Sequence, residues 1–165
     1  MKEQKMCIDN NSKSNIFNRE KVVDMLIRNE SCVLTLYQCK HNYNTIGVGR
    51  NLDVNGISTD EAMYMLNNDI DRVVNNLDNN WKVWRDFPIK AQMVCIDMAF
   101  HLGITGFMSF VETRKLMELK QWVSASEELL RSKYAMQTPT RANFNSRQLY
   151  LCQKKQEIKK IMPKD

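Results

Sequence analysis

Only one stretch of this chain, residues 33–57, reads like β-structure, and its length allows no more than a small sheet; elsewhere apolar residues recur three and four positions apart. Within that stretch β-branched and aromatic residues are interrupted by Gly47, Gly49, Asn51, Asp53 and Asn55-Gly56, the pattern of short antiparallel strands joined by turns. Ahead of it, Val22, Val23, Leu26 and Ile27 predict a short amphipathic helix over 18–30, which places Glu30 at a helix C-terminus. Behind it, Ser58-Thr59-Asp60-Glu61 has the form of a capping box, the serine accepting from the first turn while the glutamate reaches back. Ala62, Leu66, Ile70, Val73 and Leu77 then form one stripe, so a long helix is expected over about 59–78.

Trp81 and Trp84 fall in a break before Pro88, whose missing N–H is harmless in a first helical turn. Ala91, Val94, Cys95, Met98, Ala99 and Leu102 make the next helix apolar over a wide arc, the mark of a central helix, and Gly103 is expected to end it. Amphipathic stretches follow at about 109–119, 122–131 and 141–161. The fold class expected is therefore α+β, a single domain over 16–165 built from two lobes. A small sheet lobe covers about 30–58, the long helix connects it, and a larger helical lobe covers about 79–161 together with helix 18–30. Residues 1–15, rich in Asn, Ser and Lys without periodicity, read as a flexible arm.

Lys and Arg outnumber Asp and Glu by 24 to 19, which suits a polyanionic partner without choosing among nucleic acid, anionic lipid and wall polymer. No run approaches the ~20 consecutive apolar residues of a membrane span, and no apolar core follows the polar N-terminus. The expectation is a monomer, not inserted in membranes and cytoplasmic in the producing cell. Lysines 154–164 read as a solvated helix face. The five cysteines, Cys7, Cys32, Cys39, Cys95 and Cys152, are odd in number and lack zinc-site spacing, so reduced thiols are the default, with Cys95 a core residue.

Glu30, Cys39 and Thr45 are separated by eight and five intervening residues, the last two inside Tyr37-x5-Tyr43-x-Thr45-Ile46-Gly47-x-Gly49. A second block reads Ser132-Lys133-x3-Gln137-Thr138-Pro139-Thr140-Arg141-Ala142, and a third Met98-Ala99-Phe100-His101-Leu102-Gly103-x-Thr105-Gly106. Together they resemble the phage-type lysozymes, glycoside hydrolase family 24, over about residues 20–150. In that family a Glu, an Asp or sometimes a Cys, and a Thr stand at the first spacing, and a Gln-Thr-Pro-Asn-Arg-Ala segment lines the cleft opposite the Glu. The segment from Arg50 to Ser58 is shorter than in T-even phage members.

The resemblance implies hydrolysis, with inversion, of the β-1,4 bond between N-acetylmuramic acid and N-acetylglucosamine in peptidoglycan, with Arg50, His101, Lys133, Gln137 and Arg141 as substrate-binding residues. It also implies that Arg141 approaches Glu30, that Arg50 and Asp69 stand for a His–Asp pair, and that the enzyme reaches the periplasmic wall through a separate membrane pore. The residue types suit that chemistry by themselves. A carboxylic acid must protonate the leaving oxygen, and Glu30 at the negative end of a helix is placed to stay protonated. Cys39, as thiol or thiolate, could orient water, attack, or lend charge to an oxocarbenium-like transition state, and these three roles stay open. Thr45 offers a hydroxyl to hold the water. No metal or cofactor is expected, since acid protonation and water positioning suffice.

Gly47 and Gly49 are read as turn glycines presenting Thr45 rather than as phosphate binders. Cys32 and Cys39 could form a regulatory disulfide, set against the default of two reduced thiols. Two other functions compete: a cysteine-dependent amide hydrolase using Cys39 with His41 or His101, and a non-catalytic basic module binding wall polymer or nucleic acid.

Overall fold

The computed structural model describes residues 17–161, and side chains as far as residue 153. The arm at 1–15, with Cys7, lies outside the described residues, as do the side chains of the lysines after 153. The architecture is α+β: one small three-stranded antiparallel sheet in an otherwise helical chain. The expected single domain appears as two compact units that divide between Ser58 and Thr59.

In the first unit α1 spans Arg19–Glu30, started by Asn18, whose side chain accepts from the Lys21 N–H at 3.0 Å. Strands β1 (Val33–Gln38), β2 (Asn44–Gly47) and β3 (Arg50–Asn51) follow in simple up-and-down order, and the one-turn helix α2 (Leu52–Asn55) closes the unit. By contacts α1 groups with the sheet in the first unit. Only Ser31 and Cys32 separate α1 from β1, and the Glu30 side chain lies over Gly49 in the β2–β3 turn.

The second unit opens with α3, Thr59–Asn80, two residues longer than its apolar stripe suggested. A 3-10 turn over Lys82–Asp86 buries Trp84, and α4 runs Ile89–Met108 with Pro88 as its N-cap. Gly103, at φ 71° and ψ 165°, breaks the helix as expected, but the chain re-enters helix for another turn up to Met108. Then come α5 (Val111–Glu118), α6 (Trp122–Leu130), α7 (Lys133–Gln137) and α8 (Pro139–Ile161).

The core lies wholly in this unit: Leu77, Trp84, Val94, Cys95, Met98, Phe107, Trp122, Leu129, Leu149 and Cys152 are buried against one another. Among the described residues α4 alone is long and apolar enough to cross a membrane by length and composition. Its Ala91, Val94, Cys95, Met98, Ala99 and Phe107 are instead buried within the unit, which explains the wide apolar arc. In the first unit, by contrast, Thr45 is the only buried residue among those described.

Candidate active site

Glu30 is the last residue of α1 and exposed to solvent. The chain leaves the helix through Ser31, whose N–H returns to the Ile27 carbonyl and whose φ of 63° with ψ of 172° lies in a region populated almost only by glycine. This sharp exit turns the chain from α1 into β1 within two residues. A Cβ added at Gly49 would stand 3.3 Å from Glu30 Oε2, so glycine is what lets the carboxylate lie on the β2–β3 turn. Gly47 and Gly49, at φ 66° and 70°, are turn glycines as read from the sequence.

Cys39 stands at the base of the β1–β2 hairpin, whose loop is Lys40-His41-Asn42. Its N–H donates to the Tyr43 carbonyl at 3.0 Å, its carbonyl accepts from the Asn42 N–H at 2.9 Å, and Asn42 takes φ 61°. An Asn in the left-handed conformation closing a short hairpin loop is a common solution, because its side chain tolerates that region. Hydrogen bonds from the His41 and Tyr43 backbone, opposed by partial desolvation and aided by the Thr45 hydroxyl, hold the thiol below the ordinary cysteine range. His41 thus reaches the sulfur through its backbone; its side chain is not among the influences on the thiol.

Thr45 sits on β2 opposite Tyr37 of β1 and Asn51 of β3, 3 % exposed, its Oγ1 3.0 Å from the Tyr43 carbonyl oxygen. A hydroxyl has one proton, so Thr45 donates either to that carbonyl or to the Cys39 sulfur, and its lone pairs remain for a water. The preceding residue, Asn44, is fixed by a partner that the sequence did not reveal. Asp53 in α2 accepts from the Asn44 backbone N–H at 2.8 Å and from its Nδ2 at 3.0 Å. Those two hydrogen bonds draw the Asp53 carboxyl below the usual range. Arg50, half-buried on β3, pairs in register with Ile46.

The regulatory disulfide is corrected. Cys32 and Cys39 are both free thiols, and the whole of β1 lies between them. Seven steps of strand at about 3.3 Å each hold their Cα atoms roughly 20 Å apart, whereas a disulfide tolerates about 7 Å. Bridging them would require β1 to unfold.

In the helical unit the remaining candidates gather around α7. Lys133, exposed at the start of α7, borders a pocket of about 340 Å³ with Ser109, Phe110, Glu112, Glu128 and Tyr134 among its walls. Gln137 is exposed at the end of the same helix. His101 on α4 is exposed, its ring 6.1 Å from that of the buried Tyr134.

Arg141 on α8 has its Nε 3.7 Å from Asp97 Oδ1, an ion pair between α8 and α4 that was not foreseen. The other Asp97 oxygen accepts from Asn145 Nδ2 at 2.7 Å, and the same amide group reaches the Tyr134 hydroxyl at 3.2 Å. Burial and the Asp97 carboxylate push the Tyr134 phenol up, so it stays neutral. Asp69, considered as a partner for Arg50, is bound to Arg72 one turn on, at 2.7 Å.

Glu30, Cys39 and Thr45 are thus carried by three neighbouring elements of one unit, on the spacing of a known family, and comparison with known proteins decides the matter. The family model for phage lysozyme matches residues 27–148. The chain belongs to the phage lysozyme family. It is similar to two proteins of Dictyostelium discoideum, named probable T4-type lysozyme 1 and 2. The first is 24 % identical over 151 residues, covering 74 % of this chain and 89 % of the relative. The second is 26 % identical over 149 residues, covering 73 % and 88 %. Membership supports a lysozyme, a glycoside hydrolase acting on peptidoglycan.

Proposed function

We propose that the chain is a muramidase that cleaves the β-1,4 bond between N-acetylmuramic acid and N-acetylglucosamine, with Glu30 as general acid and Cys39 and Thr45 acting on the attacking water. The observation that carries this reading is that Cys39 and Thr45 are both hydrogen-bonded to the Tyr43 carbonyl at the base of one hairpin, in the unit where the Glu30 carboxylate lies over Gly49.

Glycoside hydrolysis with inversion needs an acid on one face of the sugar and a water-activating group on the other. Glu30 gives its proton to the leaving oxygen. The Cys39 sulfur, its anion favoured by backbone N–H groups, accepts a proton from water or offsets the positive charge that develops at the anomeric carbon. Thr45 fixes the direction of that water, because its hydroxyl is buried and held by the Tyr43 carbonyl. Arg50, His101, Lys133, Gln137 and Arg141 are assigned to the glycan and its peptide stems. In this reading the enzyme acts on the wall from the periplasm after leaving the producing cell's cytoplasm.

The deciding experiment is digestion of purified Gram-negative peptidoglycan under reducing conditions by the wild type and by Glu30→Gln, with new reducing ends and released fragments identified by mass. Muropeptides with new reducing ends from the wild type alone are expected. Released stem peptides without new reducing ends would establish amide cleavage, and no products at all a binding module. Cys39→Asp is expected to retain activity, since a carboxylate can accept the same backbone hydrogen bonds; Cys39→Ala and Thr45→Ala should each reduce it at least ~100-fold.

A further inference from the structure

Asp53 and Asn44 have no place in the chemistry above, yet they make the best-defined side-chain contact of the sheet unit. Asp53 uses both carboxylate oxygens on one residue, accepting from the Asn44 backbone N–H and from its side-chain amide. Asn44 is flanked by Tyr43, whose carbonyl accepts from the Cys39 N–H at 3.0 Å, and by Thr45, whose hydroxyl lies 3.0 Å from that same carbonyl. The Tyr43 carbonyl is thus engaged twice. The segment 43–45 is therefore fixed on one side by the cysteine and on the other by α2.

The anchor is itself well seated. Asn51, paired with Thr45 across β2 and β3, caps α2 by accepting from the Val54 N–H at 3.1 Å, and this orients Asp53 in the first turn.

We propose that Asp53 is a positioning residue: by clamping Asn44 from α2, it holds the Tyr43–Thr45 segment against the Cys39 sulfur and so sets the reactivity of that thiol. The inference rests on the muramidase reading only for its consequence on catalysis. Its effect on the thiol stands apart from that reading.

The mechanism has a sign that separates it from simple electrostatics. Deleting a nearby negative charge would make the thiolate easier to form and move the thiol titration down. Releasing the 43–45 segment removes hydrogen-bond donors from the sulfur and moves the titration up. Other ionisable groups of the sheet and its loops are Glu30, Cys32, Tyr37, Lys40, His41, Tyr43 and Arg50, and α1 carries Arg19, Glu20, Lys21, Asp24 and Arg28. Backbone hydrogen bonds lead the influences on the sulfur, opposed by partial desolvation.

The test is pulse alkylation of the full-length chain with iodoacetamide across roughly pH 5 to 10, following the Cys39 peptide by mass in the wild type, Asp53→Ala, Asp53→Asn and Asn44→Ala. Asp53→Ala is expected to raise the Cys39 midpoint toward that of an ordinary thiol. Asp53→Asn keeps one acceptor for the Asn44 N–H and should show a smaller rise. Asn44→Ala loses only the side-chain half of the clamp and should fall between wild type and Asp53→Ala.

Buried Cys95 and Cys152 report the helical unit alone in the same digest, and hydrogen exchange of the β1 and β2 amides, matched to wild type, reports the sheet unit. If Asp53→Ala fails either check, the comparison passes to Asp53→Asn and Asn44→Ala, whose midpoints must still rise. On peptidoglycan Asp53→Ala should lower kcat about tenfold with KM within twofold, because positioning rather than binding is lost. An unchanged or lowered Cys39 midpoint in folded variants overturns the proposal. A wild type that cuts no glycan while the midpoint still rises leaves it standing and removes the muramidase reading instead.

Discussion

Ser31 and Gly49 meet at Glu30 from opposite sides, and each supports a testable consequence. Ser31 holds a backbone conformation that costs a non-glycine residue of order 1–3 kcal/mol, directly after the candidate acid. Ser31→Gly should therefore stabilise the protein by up to about 1 kcal/mol, the relief being partly offset by the entropy of a freer unfolded chain. A higher urea midpoint at constant m would show it; a lower midpoint would mean that the Ser31 side chain supports the turn. Gly49→Ala acts the other way. Its methyl group would stand 3.3 Å from Glu30 Oε2 on a backbone at φ +70°, so the carboxylate must shift. Since small misplacements of a catalytic group cost about 100-fold, kcat should fall 10- to 100-fold while far-UV CD stays unchanged.

The end of α3 is secured by one carboxylate that serves three groups. Asp78 accepts from Trp84 Nε1 at 2.9 Å and from Arg85 Nε and Nη2 at 2.8 and 2.6 Å, while the Arg85 guanidinium lies over the Trp84 ring. The Arg85 hydrogen bonds are the main cause that draws the Asp78 carboxyl below the usual range, and the Trp84 N–H adds to them. A depressed folded value means that the stabilisation is complete above the unfolded value near ~3.9 and disappears as pH falls through the lower folded value. Asp78→Asn should thus lower Tm at neutral pH, and the gap to wild type should close below about pH 3. A constant gap down to pH 2 would assign the effect to shape rather than charge.

Sequence periodicity revealed the long elements because α3, α4 and α8 repeat their apolar spacing over several turns. It missed α7, whose five residues are too few to show a period, and a 12-residue stripe such as that of α1 does not say which surface it joins. The candidate site residues along the strand segment were read from a spacing that resembles the family's. The Asp97–Asn145 contact, bridging 48 positions between α4 and α8, carries no local signal at all. Its only trace was Asp97, the one acidic residue of α4.

The two units differ in what holds them together, and that difference sets where mutations will act. Among the described residues all the buried apolar ones lie between Val73 and Cys152, whereas the described part of the sheet unit buries only Thr45 and relies on strand pairing, caps and the Asp53 clamp. Hydrogen bonds without apolar cover open locally at low free energy, while those inside a core exchange only when the whole unit unfolds. Amides of 33–51 should therefore exchange ahead of those in α4, α6 and α8, and added denaturant should accelerate the core amides alone. Substitutions follow the same division. Leu149→Ala, at a fully buried position, should cost about 2–5 kcal/mol, and Leu36→Ala, 60 % exposed on β1, less than about 0.5 kcal/mol. If hydrogen exchange instead found β1 and β2 as protected as α4, the sheet would share the core's cooperative unit, and a site-directed change such as Asp53→Ala would register in global stability as strongly as in catalysis.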